Sequence, residues 1–127
     1  MSPRWLDYSY ILATIALTVY GQLILKWRMD QVGPLPAGFA GGLRHLLALL
    51  LDPAVLSSFA AAFLASLAWM AAMTRFELSY AYPFMSLNFV VVLVLSVAFL
   101  GETLTLNKAL GVALIVLGTL IASARTP

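Results

Sequence analysis

The chain has 127 residues, of which 63% are hydrophobic and only 9% are charged, more apolar surface than a water-soluble domain of this size can bury. Seven Lys and Arg against five Asp and Glu give a net charge of +2, too few and too scattered for a nucleic-acid-binding surface. Without cysteine and with a single histidine, the chain has no disulfides, no thiol catalysis and no expected metal site.

The first predicted element is a membrane-spanning helix from Trp5 to Lys26. Aromatic residues at its start and a Lys-Trp-Arg triplet at its end are typical anchors at the two membrane interfaces. A turn rich in glycine and proline follows at residues 33–38. The leucines of residues 43–50 recur at helical spacing. They predict either a short helix lying in the interface or the first turns of the second span.

Three further spanning helices are predicted. The second runs from Ala54 to Met73, with Asp52 as a candidate N-cap. The third runs from Leu78 to Leu100 and the fourth from Leu106 to Ala124. The sequence therefore predicts an all-α membrane protein, with four transmembrane helices in a single domain over residues 1–127 and a short interfacial helix between the first two. Basic residues divide three against four between the two sides, so the positive-inside rule does not orient the chain.

Polar residues on the first helix form its clearest candidate site. Thr14, Thr18, Gln22 and Lys26 recur every four residues and share one face of the helix. A phosphate-bearing headgroup would suit the lysine end of this stripe. The alternative is hydrogen bonding between helices, with the lysine reaching to the interface. Both interpretations stay open, although for Thr14 we favour the structural one.

The third span carries a second candidate site. Pro83 leaves one carbonyl of the preceding turn without its helical partner, close to the hydroxyls of Tyr82 and Ser86, which share one face. A different face carries Tyr80, Phe84 and Asn88. We expect that the two sets cannot both line one cavity and that one of them packs. For the tyrosines, a place in the interfacial aromatic belt is the alternative to substrate contact.

The last third of the chain offers structural candidates. Glu102 is expected to cap the fourth helix or to pair with Lys108 or Lys26. Gly111 and Gly118 belong to a stripe of small residues that favours packing or dimerisation. The chain contains no glycine-rich phosphate loop and no plausible Ser/His/Asp set, so we expect no ATP hydrolysis, no catalysis and no cofactor.

Two segments resemble motifs of the drug/metabolite transporter superfamily. They are Tyr-Gly-Gln-Leu-Ile-Leu-Lys at residues 20–26 and Ala-Tyr-Pro-Phe-Met-Ser-Leu-Asn-Phe at residues 81–89. Residues 100–104 and 110–118 resemble the glycine-glutamate turn and final helix of its EamA-type, four-helix members. Within the superfamily, the likeness is greatest to the small subunits of the aminoarabinose-phosphoundecaprenol flippase.

The resemblance implies a translocase subunit that moves a polyprenyl-phosphate-linked sugar across the bacterial inner membrane. It also implies a homodimer, or a heterodimer with a sister subunit, among membrane lipids. The residues that it places in the substrate path are Gln22, Lys26, Tyr82, Ser86 and Asn88. We add Thr18 as a weaker candidate, and we expect Pro83 and Glu102 to be structural or gating residues.

The small multidrug resistance exporters are competing relatives, similar in size and in the end of the first helix. Their membrane-embedded glutamate corresponds to Thr18 here, so proton-coupled export of cations would lack its usual carrier. Cation export is therefore our second hypothesis. A membrane subunit that scaffolds a glycosyltransferase without transporting anything is the third.

Overall fold

The computed structural model describes residues 4–124, and all regular structure in that range is helical. The helices are α1 (Arg4–Val32), α2 (Phe39–Leu49), α3 (Pro53–Met73), α4 (Leu78–Met85), α5 (Leu87–Phe99) and α6 (Leu106–Ser123). Four stretches are long and apolar enough to cross a membrane, namely α1, α3, α4 together with α5, and α6. The predicted all-α fold with four spans and a short additional helix is confirmed.

The first helix is longer than the sequence predicts, so the connection to the second span begins later in the chain. α1 continues to Val32 instead of ending near Lys26, and Gly33 then turns the chain with a φ of 93°. α2 ends at Leu49, and a turn over residues 50–52 separates it from α3. α2 is therefore a helix of its own and does not form the first turns of the second span.

Asp52 begins α3 and also joins it to α1. Its carboxylate accepts hydrogen bonds from the backbone N–H groups of Ala54 at 2.9 Å and Val55 at 3.4 Å, which confirms the predicted N-cap. The same carboxylate accepts a 2.8 Å hydrogen bond from Nε of Arg28. Burial alone would raise the pKa of Asp52, but the hydrogen bonds from Arg28, Val55 and Ala54 outweigh it and hold the pKa below its ordinary value of 3.8.

The predicted third span is confirmed from Leu78 to Phe99, and regular α-helix is interrupted within it at Ser86. Ser86 separates α4 from α5, and two tight turns replace regular helix there. The Pro83 carbonyl accepts from the Ser86 N–H at 3.0 Å, and the Ser86 carbonyl accepts from the Phe89 N–H at 3.0 Å. The Thr119 hydroxyl of α6 lies 3.1 Å from the same Pro83 carbonyl and 2.9 Å from the Ile115 carbonyl of its own helix, and its hydrogen is shared between the two. This contact from α6 stabilises the diverted carbonyl.

The α1 helix lies at the centre of the bundle. α3 packs along it on one side, α4 and α5 pack on the other, and α6 packs outside α4 and α5. Isoleucine and valine side chains of α1 meet small residues of its neighbours in the core. One cluster of buried core residues consists of Ile11, Ile15, Val19, Ala72 and Ala81, and α3 adds Val55, Ala61 and Ala65. The alanine-rich composition of α3 thus supports close packing, as the sequence predicts.

One end of the bundle is closed by aromatic rings. The Tyr8 ring lies 4.9 Å from Phe76 and 5.9 Å from Phe84, and the Tyr80 ring stacks on Phe76 at 5.8 Å. The hydroxyls of Tyr8 and Tyr80 are 2.5 Å apart. These rings join the start of α1 to α4 and to the turn between α3 and α4.

Gly21 marks the closest approach of α1 and α3. A Cβ atom added there would lie 3.1 Å from the Ser58 carbonyl oxygen, which belongs to the rigid backbone of α3. We expect Gly21→Leu to force the two helices apart and to lower the midpoint of thermal unfolding in detergent by several degrees, since overpacking typically costs about 1–3 kcal/mol. The matched control is Ala16→Leu, at an exposed position of the same helix. An equal loss of stability in both variants would contradict this packing.

Candidate functional site

A groove of about 670 Å³ opens between the spanning helices. α1 forms its floor, α3 forms one wall, and the broken third span forms the other. Its polar lining residues are Thr14, Thr18, Gln22, Ser58, Ser66, Tyr82, Ser86 and Asn88. Its aromatic lining residues are Phe59, Trp69, Tyr82 and Phe89. None of the side chains that line this groove in the described structure carries a formal charge.

The groove brings together five of the six side chains that the sequence proposes for substrate contact. Thr18 and Gln22 come from α1, Tyr82 from α4, Ser86 from the break and Asn88 from α5. Lys26 is not among the lining residues. Its Nζ lies 2.9 Å from Oδ1 of Asp30, one helical turn further along α1, and its side chain is 52% exposed.

The break in the third span explains why Asn88 lies in the groove. In a continuous helix, Asn88 would share a face with Tyr80 and Phe84, as the sequence analysis expects. Tyr80 and Phe84 instead pack together in the aromatic cluster, with ring centroids 5.4 Å apart. Asn88 follows the first of the tight turns at Ser86 and lines the groove together with Tyr82 and Ser86. The prediction that Asn88 lies on the same face as Tyr80 and Phe84, apart from Tyr82, is therefore wrong.

The polar side chains of the groove fall into two classes by their hydrogen bonds. In the first class, each hydroxyl donates to a carbonyl of its own helix. Thr14 donates to the Tyr10 carbonyl at 2.8 Å, Ser58 to Val55 at 2.8 Å, and Ser66 to Ala62 at 3.1 Å. These groups are satisfied within their helices, so Thr14 bonds within α1 and does not make the hydrogen bond between helices that the sequence analysis favours for it.

The second class is the set of five predicted contact residues. Within residues 4–124, none of their side chains makes a hydrogen bond or an ion pair to the protein. They are Thr18, Gln22, Tyr82, Ser86 and Asn88. The Oδ1 atom of Asn88 is also fully buried. A buried acceptor without a partner costs about 1–3 kcal/mol, so Oδ1 of Asn88 favours a polar occupant of the groove, whereas Gln22 and Tyr82 are exposed.

The α3 wall was missed by the sequence analysis. Ser58, Ala62 and Ser66 recur every four residues, as the polar residues of α1 do. This spacing places them on one face of α3, so the sequence could have predicted them as a second wall. Trp69, one turn further on, forms an edge-to-face pair with Tyr82, with ring centroids 6.1 Å apart and planes inclined at 76°. This pair joins α3 to α4 within the groove. No local signal in the sequence indicates it.

Glu102 does not have its expected capping role. Thr105 caps α6, since its hydroxyl accepts from the Lys108 N–H at 3.2 Å. The Lys108 ammonium donates to the Thr103 carbonyl at 2.9 Å. Among residues 4–124, Glu102 makes no ion pair, and its backbone N–H donates to Ser96 at 3.2 Å. Glu102 thus lies just after α5 and does not cap α6.

The two glycines of α6 are exposed. A Cβ atom added at Gly111 or at Gly118 would meet no atom within 4 Å. Gly118 borders a second, more open cleft of about 500 Å³ between α4 and α6, which also includes Pro83 and Thr119. Gly111 lies apart from that cleft. Neither glycine is needed for packing among the described helices.

Comparison with known proteins identifies the family. Residues 6–124 match the EamA-like transporter family. The chain belongs to the EamA-like transporter family. It is accordingly a multi-pass membrane protein of the bacterial inner membrane, with the four spans described above. No solved structure matches the chain.

Several curated relatives carry the name probable 4-amino-4-deoxy-L-arabinose-phosphoundecaprenol flippase subunit ArnF. The protein from Pseudomonas aeruginosa PAO1 is 34% identical over 116 residues, which cover 90% of this chain and 82% of the relative. The one from Pseudomonas fluorescens is 32% identical over 94% of this chain and 88% of the relative. The one from Aeromonas hydrophila is 35% identical over 90% of this chain and 77% of the relative.

The hydrogen bonds predict how two threonines differ when their hydroxyls are removed. Thr18→Val deletes a hydroxyl without a partner, so we expect the unfolding midpoint to stay within error of the wild type. Thr119→Val deletes the hydroxyl shared between the Pro83 and Ile115 carbonyls and should lower stability by about 0.6 kcal/mol, the average for such bonds in membranes, and by no more than about 1.7 kcal/mol. Thermal or denaturant unfolding in detergent micelles measures both. Equal destabilisation would show that Thr18 has a structural partner after all.

Proposed function

We propose that this chain is a flippase subunit that moves a polyprenyl-phosphate-linked sugar across the inner membrane, with residues 1–127 acting as one transport domain. The observation that carries the proposal is the set of five unpaired polar side chains in the groove: Thr18, Gln22, Tyr82, Ser86 and Asn88. Hydroxyls and amides are the groups that bind the hydroxyls of a sugar. The names of the relatives support the same class of substrate.

The walls of the groove suit a substrate with a lipid tail. Phe59 and Met70 on α3 and Phe89 on α5 line the groove and are themselves largely exposed, to lipid in a membrane. α3 and α5 do not pack extensively on each other, so the groove is open sideways between them. The sugar would enter the groove through this opening while its polyprenyl chain stays in the bilayer, so the protein need not enclose the chain.

Lys26 is the proposed partner of the lipid phosphate. It lies one helical turn beyond Gln22, at the interfacial end of the groove. Its present partner is the Asp30 carboxylate, and both side chains are about half exposed. Exposed pairs of this kind contribute little to stability, so a phosphate group can replace the carboxylate at small cost. In this proposal, Lys26 exchanges Asp30 for phosphate when the headgroup enters.

The proposed assembly is a homodimer or a heterodimer with a sister subunit. Gly111 and Gly118 lie on an outer face of α6 that no other described helix covers. Small residues on such a face allow a second spanning helix to approach closely. We therefore keep α6 as the proposed packing face. The names of the relatives, which describe a flippase subunit, support an assembly of more than one chain.

Export of cations is less well supported by the groove. A transporter that couples a cation to protons needs a carboxylate at membrane depth, and the lining residues include none. The acidic residues near the Lys26 end, Asp30 and Glu102, lie outside the groove, and Asp30 is already paired. The scaffold hypothesis offers no explanation for unpaired polar groups inside the bundle.

The experiment is transport of a labelled undecaprenyl-phosphate sugar, in parallel with a quaternary cation, by the purified chain in proteoliposomes. We expect movement of the lipid-linked sugar and none of the cation. Asn88→Ala and Lys26→Ala should each abolish transport, because the first removes a groove contact and the second removes the phosphate partner.

The matched controls lie outside the groove. Asn107→Ala and Lys108→Ala remove the same residue types from the start of α6, where both are exposed, and they should keep transport near the wild-type rate. Normal transport by Asn88→Ala and Lys26→Ala would contradict the placement of the substrate. Movement of the cation alone would contradict the proposed function.

A further inference from the structure

Trp69 lies in the groove wall and is held in one orientation. Its ring forms an edge-to-face pair with Tyr82, with centroids 6.1 Å apart and planes inclined at 76°. The indole also packs against the buried cluster that includes Ile11 and Ile15 of α1. Because these neighbours restrict the indole, a ligand that binds there immobilises little further side-chain freedom. Trp69 is therefore a preorganised apolar surface beside the hydroxyls and amides of the groove.

The phenylalanines of the groove differ from Trp69 in exposure. Phe59 and Phe89 are 49% and 59% exposed and border the sideways opening that we propose for the lipid tail. Trp69 is partly buried instead. Within residues 4–124, its indole N–H makes no hydrogen bond, and the nitrogen is not among the fully buried polar atoms. The indole thus offers a ligand both a ring surface and an accessible donor.

A pyranose ring has two kinds of surface, and the groove can bind both. The sugar hydroxyls point outward from the rim of the ring and need hydrogen-bonding partners, which Thr18 of α1 and Asn88 of α5 offer. The C–H groups on the faces of the sugar carry a weak positive charge and are attracted to the negative face of an aromatic ring. The hydroxyls of Ser58 and Ser66 on the α3 wall are already satisfied within that helix. The contribution of α3 to sugar binding is therefore chiefly the apolar surface of Trp69.

We infer that Trp69 is a headgroup-binding residue: the sugar ring stacks on the face of its indole, and the sugar hydroxyls turn towards the unpaired side chains of α1 and the third span. Tyr82 positions the indole through the edge-to-face pair. The inference rests on the proposed function, because it names how the lipid-linked sugar is held. It concerns the ring of the sugar, so it applies to sugars with and without an amino group.

The test compares two phosphodiester lipids that differ in the sugar alone. The full chain in nanodiscs is titrated with farnesyl-phosphate-linked arabinose and with farnesyl methyl phosphate, and binding is measured by calorimetry. We expect the wild type to bind the sugar-bearing lipid more tightly. Trp69→Leu should reduce this advantage about tenfold, the upper range for one aromatic contact, and should leave binding of the methyl lipid unchanged. Trp69→Phe keeps an aromatic face and should retain most of the advantage.

The matched control is Trp5→Leu, the same substitution at an exposed position outside the groove, which should leave the sugar advantage unchanged. A second measurement does not depend on the folding of Trp69→Leu. The chain has three tryptophans, so Trp5→Phe combined with Trp27→Phe leaves Trp69 as the only one. We expect its fluorescence to change when the sugar-bearing lipid binds, and to change much less with the methyl lipid.

An unchanged sugar advantage in Trp69→Leu, an equal loss in Trp5→Leu, or no sugar advantage in the wild type would overturn the inference. So would fluorescence of Trp69 that responds equally to both lipids. Transport judges the proposed function separately. A sugar advantage that depends on Trp69, without transport by the wild type, would overturn the flippase role alone. Transport by the wild type, with the full sugar advantage kept in Trp69→Leu, would overturn the role of Trp69 alone.

Discussion

The hydrocarbon core of a membrane contains no water, so every polar group at that depth needs a partner from the protein or from a ligand. Most polar groups of this chain meet the requirement by donating to a carbonyl of their own helix, as Thr14, Ser58 and Ser66 do. The five groove residues do not. Because they converge on one open space instead of being scattered, they mark that space as a polar cavity, which water or a ligand can fill.

The break in the third span is the structural device that assembles this site. Pro83 and Ser86 interrupt the helix, and the Thr119 hydroxyl of α6 stabilises the carbonyl that the break diverts. Tyr80, before the turns, packs in the aromatic cluster, and Asn88, after Ser86, lines the groove. A straight helix would separate Asn88 from Tyr82 by its regular rotation and would leave the groove with fewer acceptors. α6 thereby contacts the backbone of the third span beside the groove, although no α6 residue lines the groove.

The sequence predicts those features that depend on local chemistry. The lengths of the hydrophobic segments predict the four spans. The Asp-Pro pair predicts the start of α3, because an N-cap and a proline at the first helical position act locally. The four-residue spacing of polar residues on α1 gives Thr18 and Gln22. The Trp69–Tyr82 pair depends on a contact between helices and has no local signal. The Thr105 cap is local, and Thr105 stands directly before the first residue of α6, so the sequence could have predicted it in place of Glu102. The sequence predicts that Lys26 meets a phosphate, and the structure shows that its partner in the protein is Asp30, one helical turn away.

The central claim is that the groove is a polar space open to water within the membrane-spanning helices. The most direct measurement uses the natural absence of cysteine to compare two single-cysteine variants in liposomes with a hydrophilic, membrane-impermeant thiol reagent. Ser86→Cys lies in the groove, and Leu114→Cys lies at a similar depth on the exposed face of α6. The account predicts that Ser86→Cys reacts at least about tenfold faster, since only a hydrated thiol forms the reactive thiolate readily. Equal and slow labelling of both positions would contradict it.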